Sequence, residues 1–181
     1  MDSVINLSED VRDLLTFQSY EPQPLIDGVF VHRLKVFRSL EGDFMELCRL
    51  REGQVEGLPL GFEPRQFSLS KAIPGRLNAF HLHPKRPQHE LWCVLDGQLR
   101  VWLVDLRQGS PTEGNRRQVI LSGEEPAFLY VPWGVAHGYQ AGSRGATLLY
   151  ASSDKFNFED PNEGRLPWDH FGADLWAEDR G

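Results

Sequence analysis

Four of the six histidines fall in two short segments. In the first, His81-Leu82-His83 is followed seven residues later by Glu90; in the second, Pro132-Trp133-Gly134-Val135-Ala136-His137-Gly138-Tyr139 presents a histidine just after a turn. Side chains alternate along a strand, so His81 and His83 project from one face. Glu90 opens the next strand of an apparent hairpin and can face the same cavity, which His137 joins if the strands are neighbours. Imidazoles and a carboxylate gathered in one hollow suit proton transfer near neutral pH. One histidine on a strand is usually structural, but four matching groups in two segments point to a shared pocket. His32, His89 and His170 read as surface or supporting groups.

The elements that position these groups read mostly as strands. Short runs rich in Val, Leu, Phe, Tyr and Trp, separated by Gly, Pro, Asn or Asp, predict strands at 29–37, 44–50, 66–71, 77–83, 90–95, 98–105, 118–120, 127–131 and 146–151. Turns are expected at Ser39-to-Gly42 and at Asp96-Gly97. Leu99, Val101 and Leu103 alternate with Arg100, Trp102 and Val104, so both faces of that strand are covered, the outer one by further chain or a second subunit. Ser8, Glu9 and Asp10 before Val11, Leu14 and Leu15 predict one short capped helix. The expectation is an all-β sandwich or barrel with minor short helices. It forms a single domain over 1–181, with an N-terminal arm over 1–25 and a covering segment over 156–181.

Composition narrows the function. The 181 residues are 40% hydrophobic and 25% charged, as in an ordinary globular chain. Nineteen basic against twenty-six acidic residues give a net charge of −7, which disfavours nucleic acid and anionic membranes as partners. No apolar run reaches the ~20 residues of a membrane span, and the acidic N-terminal residues are unlike a secretory signal, so the cytoplasm is the expected location. Cys48 and Cys93, both among apolar neighbours, read as buried thiols. Neither G-x-G-x-x-G nor G-x-x-x-x-G-K-[ST] occurs, which excludes Rossmann and P-loop nucleotide binding.

The two histidine segments resemble the motifs of the cupin superfamily, G-x5-H-x-H-x3-4-E-x6-G and G-x5-P-x-G-x2-H-x3-N, whose fold is a small jelly roll. A wider resemblance, to the dTDP-4-dehydrorhamnose 3,5-epimerase family of metal-free cupins, is carried by five stretches: Gly42-Asp43-Phe44-Met45-Glu46, Arg76 to His81, Val104-Asp105-Leu106-Arg107-Gln108-Gly109-Ser110-Pro111-Thr112, Val131 to Tyr139, and Ala146 to Tyr150. It implies a homodimer acting on a nucleotide-linked 4-keto-6-deoxy sugar with no cofactor required. It also implies His81 as base, Tyr150 as the opposing acid, Glu46 on the nucleotide base, and His137 in the pocket. Asn78 and Trp133 are further substrate-binding candidates.

Several positions depart from that family. Asn78-Ala79-Phe80 stands where members carry Arg-Gly-Leu, and Leu40-Glu41-Gly42 where they carry an acidic-Arg-Gly run; those arginines face the diphosphate. Glu90 replaces the lysine beside the keto oxygen, and Phe156 a second tyrosine. The aspartate that supports the base has its counterpart among Asp169, Asp174 and Asp179. Gained His83 and Glu90, with His81 and His137, complete the set of a metal cupin, whose three histidines and glutamate hold a divalent transition metal such as Zn, Fe, Mn or Ni. A metal-dependent dioxygenase or isomerase is therefore an alternative reading, and a non-catalytic sugar-binding cupin a further one.

Overall fold

The computed structural model describes residues 7–18 and 20–177. Two long strands organise the fold. Strand β8 (Glu90–Asp105) pairs antiparallel with β11 (Val135–Ser152), and each takes part in two sheets. Around their outer halves lie β1 (Phe30–Arg33), β10 (Ala127–Val131) and β6 (Gln66–Ala72), in the order β1-β10-β8-β11-β6. Around the other halves lie β9 (Arg116–Ser122), β7 (Leu77–Leu82) and β12 (Gly164–Arg165), in the order β9-β8-β11-β7-β12. The inner faces of the two sheets share one apolar core that includes Trp92, Val94, Leu99, Leu129, Val131, Tyr139 and Leu148. This is the expected all-β jelly-roll sandwich.

Asp96-Gly97 is not a hairpin turn; β8 runs through it. Gly97 takes a positive φ of 72°, and a Cβ there would lie 2.1 Å from the Gly145 carbonyl oxygen, so only glycine lets the two strands cross from sheet to sheet together. A bulge precedes it: Leu148 faces Val94 whereas Thr147 faces Asp96, leaving Leu95 as an extra residue. The bulge switches the inward parity from Trp92 and Val94 to Leu99, Val101 and Leu103. It thereby turns Glu90, two residues before Trp92, toward the interior.

Other boundaries moved as well. The run expected at 29–37 divides into β1 and β2 (Val36–Ser39). That expected at 44–50 divides into β3 (Gly42–Met45) and β4 (Leu50–Arg51), of which β4 pairs with β5 (Gln54–Val55). The Ser39-to-Gly42 turn is present, and it joins β2 and β3 into a separate ribbon. The amino-terminal helix shortens to one turn, α1 (Glu9–Arg12), with Val11, Leu14 and Leu15 exposed and without an apolar partner among the described residues. The rest of the arm at 1–6 and at 19 lies outside the described residues, as does the end of the tail at 178–181.

Both outer faces are covered in part by the chain itself. Val55, Phe62 and Leu47 pack on Leu91, Cys93 and Phe128. A 3-10 turn at Ala173–Trp176 packs on Phe80, Val104 and Ala136, and Trp102 Nε1 donates to the Leu175 carbonyl at 2.8 Å. The further chain foreseen over Trp102 is thus the tail. Cys93 is buried, Cys48 is half-buried, and both are free thiols. No helix among the described residues is long and apolar enough to cross a membrane.

Candidate active site

Between the sheets, at the end where β7, β8 and β11 converge, lies a cavity of about 210 Å³ lined by Asn78, His81, His83, Glu90, His137 and Tyr150 among others. The expected assembly is real, but its route is not the expected hairpin. Strand β7 pairs with β11 and β12; Glu90 arrives through β8, on the far side of β11. His137 lies opposite His81 in the β11–β7 ladder, and a register shift before the Tyr139–Asn78 pair brings Asn78 to the cavity although it is three residues from His81. Gly138 permits that close approach, since a Cβ there would lie 2.3 Å from Ala79 Cβ.

Glu90 is 5% exposed and surrounded by donors. Its Oε1 lies 3.0 Å from His83 Nε2 and accepts from Gln88 Nε2 at 3.0 Å; its Oε2 accepts from Trp92 Nε1 at 2.7 Å and lies 3.5 Å from His137 Nε2. Burial pushes this carboxyl upward, but the hydrogen bond and charge of His83, with the hydrogen bond from Trp92, outweigh it and hold Glu90 ionised. Burial likewise disfavours a charged His83, yet Glu90 and the Asn162 carbonyl, 2.7 Å from Nδ1, raise its pKa. His137 is lowered by burial, with Glu90 only partly offsetting it. Its Nδ1 donates to the Val135 carbonyl at 3.1 Å, which leaves Nε2 without a hydrogen.

His81 belongs to a second group. Its Nε2 is 2.9 Å from Asn78 Oδ1, an oxygen that also accepts from Arg165 at 3.3 Å, so Nε2 carries the hydrogen. Its Nδ1 lies 3.4 Å from Glu163 Oε1. Burial first, then the charges of His137 and Arg165, push the imidazole down to about 4 against Glu163 and Glu90. It is therefore a neutral base at pH 7, with a carboxylate beside the nitrogen that would receive a proton. Tyr150 lines the same cavity, and its hydroxyl has no hydrogen-bond partner among the described residues.

Three expectations need correction. The buried ligand-type cluster is His83, Glu90 and His137, whose donor atoms lie within 4.8 Å of one another; His81 is held outside it by Asn78 and Glu163. Trp133 is 48% exposed and does not line the cavity, because it sits in the turn before β11, where its N–H faces His89. The cavity tryptophan is Trp92, which strand alternation from Glu90 would have found. Glu46, expected on the nucleotide base and not in the cavity, is exposed and paired with Arg49 at 2.8 Å. The carboxylate beside His81 is Glu163, whereas Asp179 lies outside the described residues.

Glu163 and Arg165 escaped sequence reasoning because β12 is two residues long and carries no strand pattern. A second lobe of about 330 Å³ adjoins the first through His83, Glu90, Tyr150 and Glu163, and it is bordered by Lys155 and Phe156.

Comparison with known proteins agrees with this geometry. The profile of the dTDP-4-dehydrorhamnose 3,5-epimerase family matches residues 23–175. The spore coat polysaccharide biosynthesis protein SpsL of Bacillus subtilis is 38% identical over 80% of this chain and 91% of its own length. A dTDP-4-dehydrorhamnose 3,5-epimerase of Methanothermobacter thermautotrophicus is 31% identical over 80% of this chain and 76% of its own. Among solved structures, the dTDP-6-deoxy-D-glucose-3,5-epimerase of Legionella pneumophila in complex with dTDP-4-keto-L-rhamnose superposes with a TM-score of 0.70 at 30% identity, covering 80% of this chain and 75% of that one.

Proposed function

The chain belongs to the dTDP-4-dehydrorhamnose 3,5-epimerase family, and from that membership we propose that it epimerises a nucleotide-linked 4-keto-6-deoxy sugar. The observation that carries the proposal is the neutral His81, aligned by Asn78 and Glu163 in a cavity it shares with Tyr150. A ketone at C4 acidifies the hydrogens at C3 and C5. Inversion then needs a base on one face of the ring, a proton donor on the other, and stabilisation of the enolate oxygen between them. His81 takes the proton, at Nδ1 beside Glu163; Tyr150 returns one from the opposite face.

The cavity is smaller than the ~300–1,000 Å³ of a typical drug-sized site, so it suits the sugar ring while the nucleotide lies outside. Arg165 and Lys155, at the borders of the two lobes, take over from the family arginines as partners of the diphosphate. A homodimer completes the reading. The outer edge of β6 pairs with no strand among the described residues, Phe67 and Leu69 on β6 are exposed, and so are Phe37 and Phe44 on the β2–β3 ribbon. Glu46, at the end of that ribbon, serves a nucleotide in such an assembly. The two free thiols fit a cytoplasmic protein.

The test is deuterium wash-in from heavy water at C3 and C5 of dTDP-4-keto-6-deoxyglucose. Wild type should exchange one or both positions, and His81→Ala should slow exchange by about 10²–10⁴-fold. Exchange that survives intact in His81→Ala removes the assigned base.

A further inference from the structure

We propose that His83, Glu90 and His137 form a two-histidine, one-carboxylate site for a divalent transition-metal ion, with His81 outside the ligand set. The three side chains come from three separate places in the fold: just beyond β7, the start of β8 and the start of β11. Each is at least nine-tenths buried, with relative exposures of 9%, 5% and 3%. Their donor atoms lie within 4.8 Å of one another, with 3.0 Å and 3.5 Å between Glu90 and the two Nε2 atoms. Nitrogen and oxygen ligands sit ~2.0–2.2 Å from zinc-like ions, so only the widest separation must close, by about half an ångström or more.

The orientation of the imidazoles supports this independently of the distances. Both use Nδ1 to donate to a backbone carbonyl, His83 to Asn162 at 2.7 Å and His137 to Val135 at 3.1 Å. Histidines that ligate metals are typically held in this way, with one ring nitrogen anchored so that the other points at the ion. His137 Nε2 makes no hydrogen bond among the described residues and yet is not sealed from the cavity. Gln88 and Trp92 brace the carboxylate from behind, as supporting donors of a ligating carboxylate do. His81 is the exception among the cavity histidines: it is anchored through Nε2 by a side chain, Asn78, and its Nδ1 faces Glu163. A ligand set without His81 lets one cavity hold both a metal and a base.

The donor set of two imidazoles and one carboxylate suits Zn, Fe, Co, Ni or Mn. Such an ion polarises a ligated oxygen as a Lewis acid. A +2 ion on a −1 carboxylate returns net positive charge to the position where family members carry a lysine and this chain carries Glu90. That last role rests on the epimerase reading, whereas the site itself does not.

The experiment uses untagged, full-length protein stripped with chelator and titrated with Co²⁺, read by visible absorption and by elemental analysis after desalting. About one equivalent per chain is expected, with affinity falling ~100-fold or more in both Glu90→Gln and His137→Gln, and little changed in His81→Asn. Circular dichroism and thermal melting confirm that each variant is folded. No stoichiometric binding to wild type, or binding that both ligand variants retain, overturns the site; so does loss of binding in His81→Asn to the same degree. Deuterium wash-in on the cobalt-loaded protein then separates the two readings. One tightly held equivalent without exchange at C3 or C5 supports the metal site and removes the epimerase assignment.

Discussion

Strand β8 begins and ends in a buried carboxylate, and the two ends are built for opposite purposes. At its end, Asp105 is fully buried and accepts from Arg107 Nε at 2.8 Å, Ser110 Oγ at 2.7 Å and Thr112 Oγ1 at 2.7 Å. At its start, Glu90 accepts from Gln88 and Trp92 and lies against two histidines. The partners of Asp105 lie within seven residues and include a permanent cation, so the knot is local and its charge state fixed. The partners of Glu90 include two imidazoles from outside its own strand, His83 just beyond β7 and His137 on β11, and its cationic partner is an imidazole that can lose its proton. The first arrangement locks a loop onto the fold. The second leaves a carboxylate free to exchange one partner for another, as chemistry or a metal requires.

The comparison breaks most readily at Asp105. Asp105→Ala strands the Arg107 guanidinium over a buried hole, and the expected loss is about 3–5 kcal/mol of unfolding free energy in urea melts. Exchange activity per folded molecule should be unchanged, and a variant as stable as wild type would contradict the structural role. The acid limb of the same measurement sharpens the contrast. Burial pushes the Asp105 carboxyl up, but hydrogen bonds from Arg107, Ser110 and Thr112 pull it far below its ordinary value of 3.8. Its contribution is therefore fully present above that value and lost as pH falls below it, and the stability of Asp105→Ala should fall less steeply there.

Glu90→Gln should cost less, about 1–3 kcal/mol, because donors around an amide are left unmatched but no permanent cation is stranded. Its main effect should be on the cavity, read as lost metal affinity. A stability loss equal to that of Asp105→Ala would erase the distinction between the two ends. The smallest effect is expected at Trp133, which is exposed outside the cavity. Trp133→Ala should stay within about 0.5 kcal/mol of wild type and exchange deuterium at the wild-type rate.

These two ends also show where sequence reading succeeded. The V-D-L-R-x-G-S-P-T run is contiguous, so its resemblance to a family was plain, although its residues form a structural knot rather than a catalytic one. Gly134 connects it to the Pro132-Trp133-Gly134 turn: its φ is +78°, and a Cβ there would lie 2.5 Å from Arg107 Cγ. Glycine at that position thus answers to packing as much as to backbone conformation.

The residues determined a great deal without coordinates. Strand periodicity specified an all-β chain, and the identities and alternation of His81, His83, Glu90 and His137 selected one cavity, because side-chain direction on a strand follows from the backbone itself. Tertiary structure alone decided how those groups divide. Whether His81 joins the carboxylate of Glu90 or that of Glu163 depends on a bulge at Leu95, a register shift opposite Asn78 and a two-residue strand at Gly164–Arg165. Each is a long-range pairing whose free energy is spread over distant segments, and no local pattern in the chain records it.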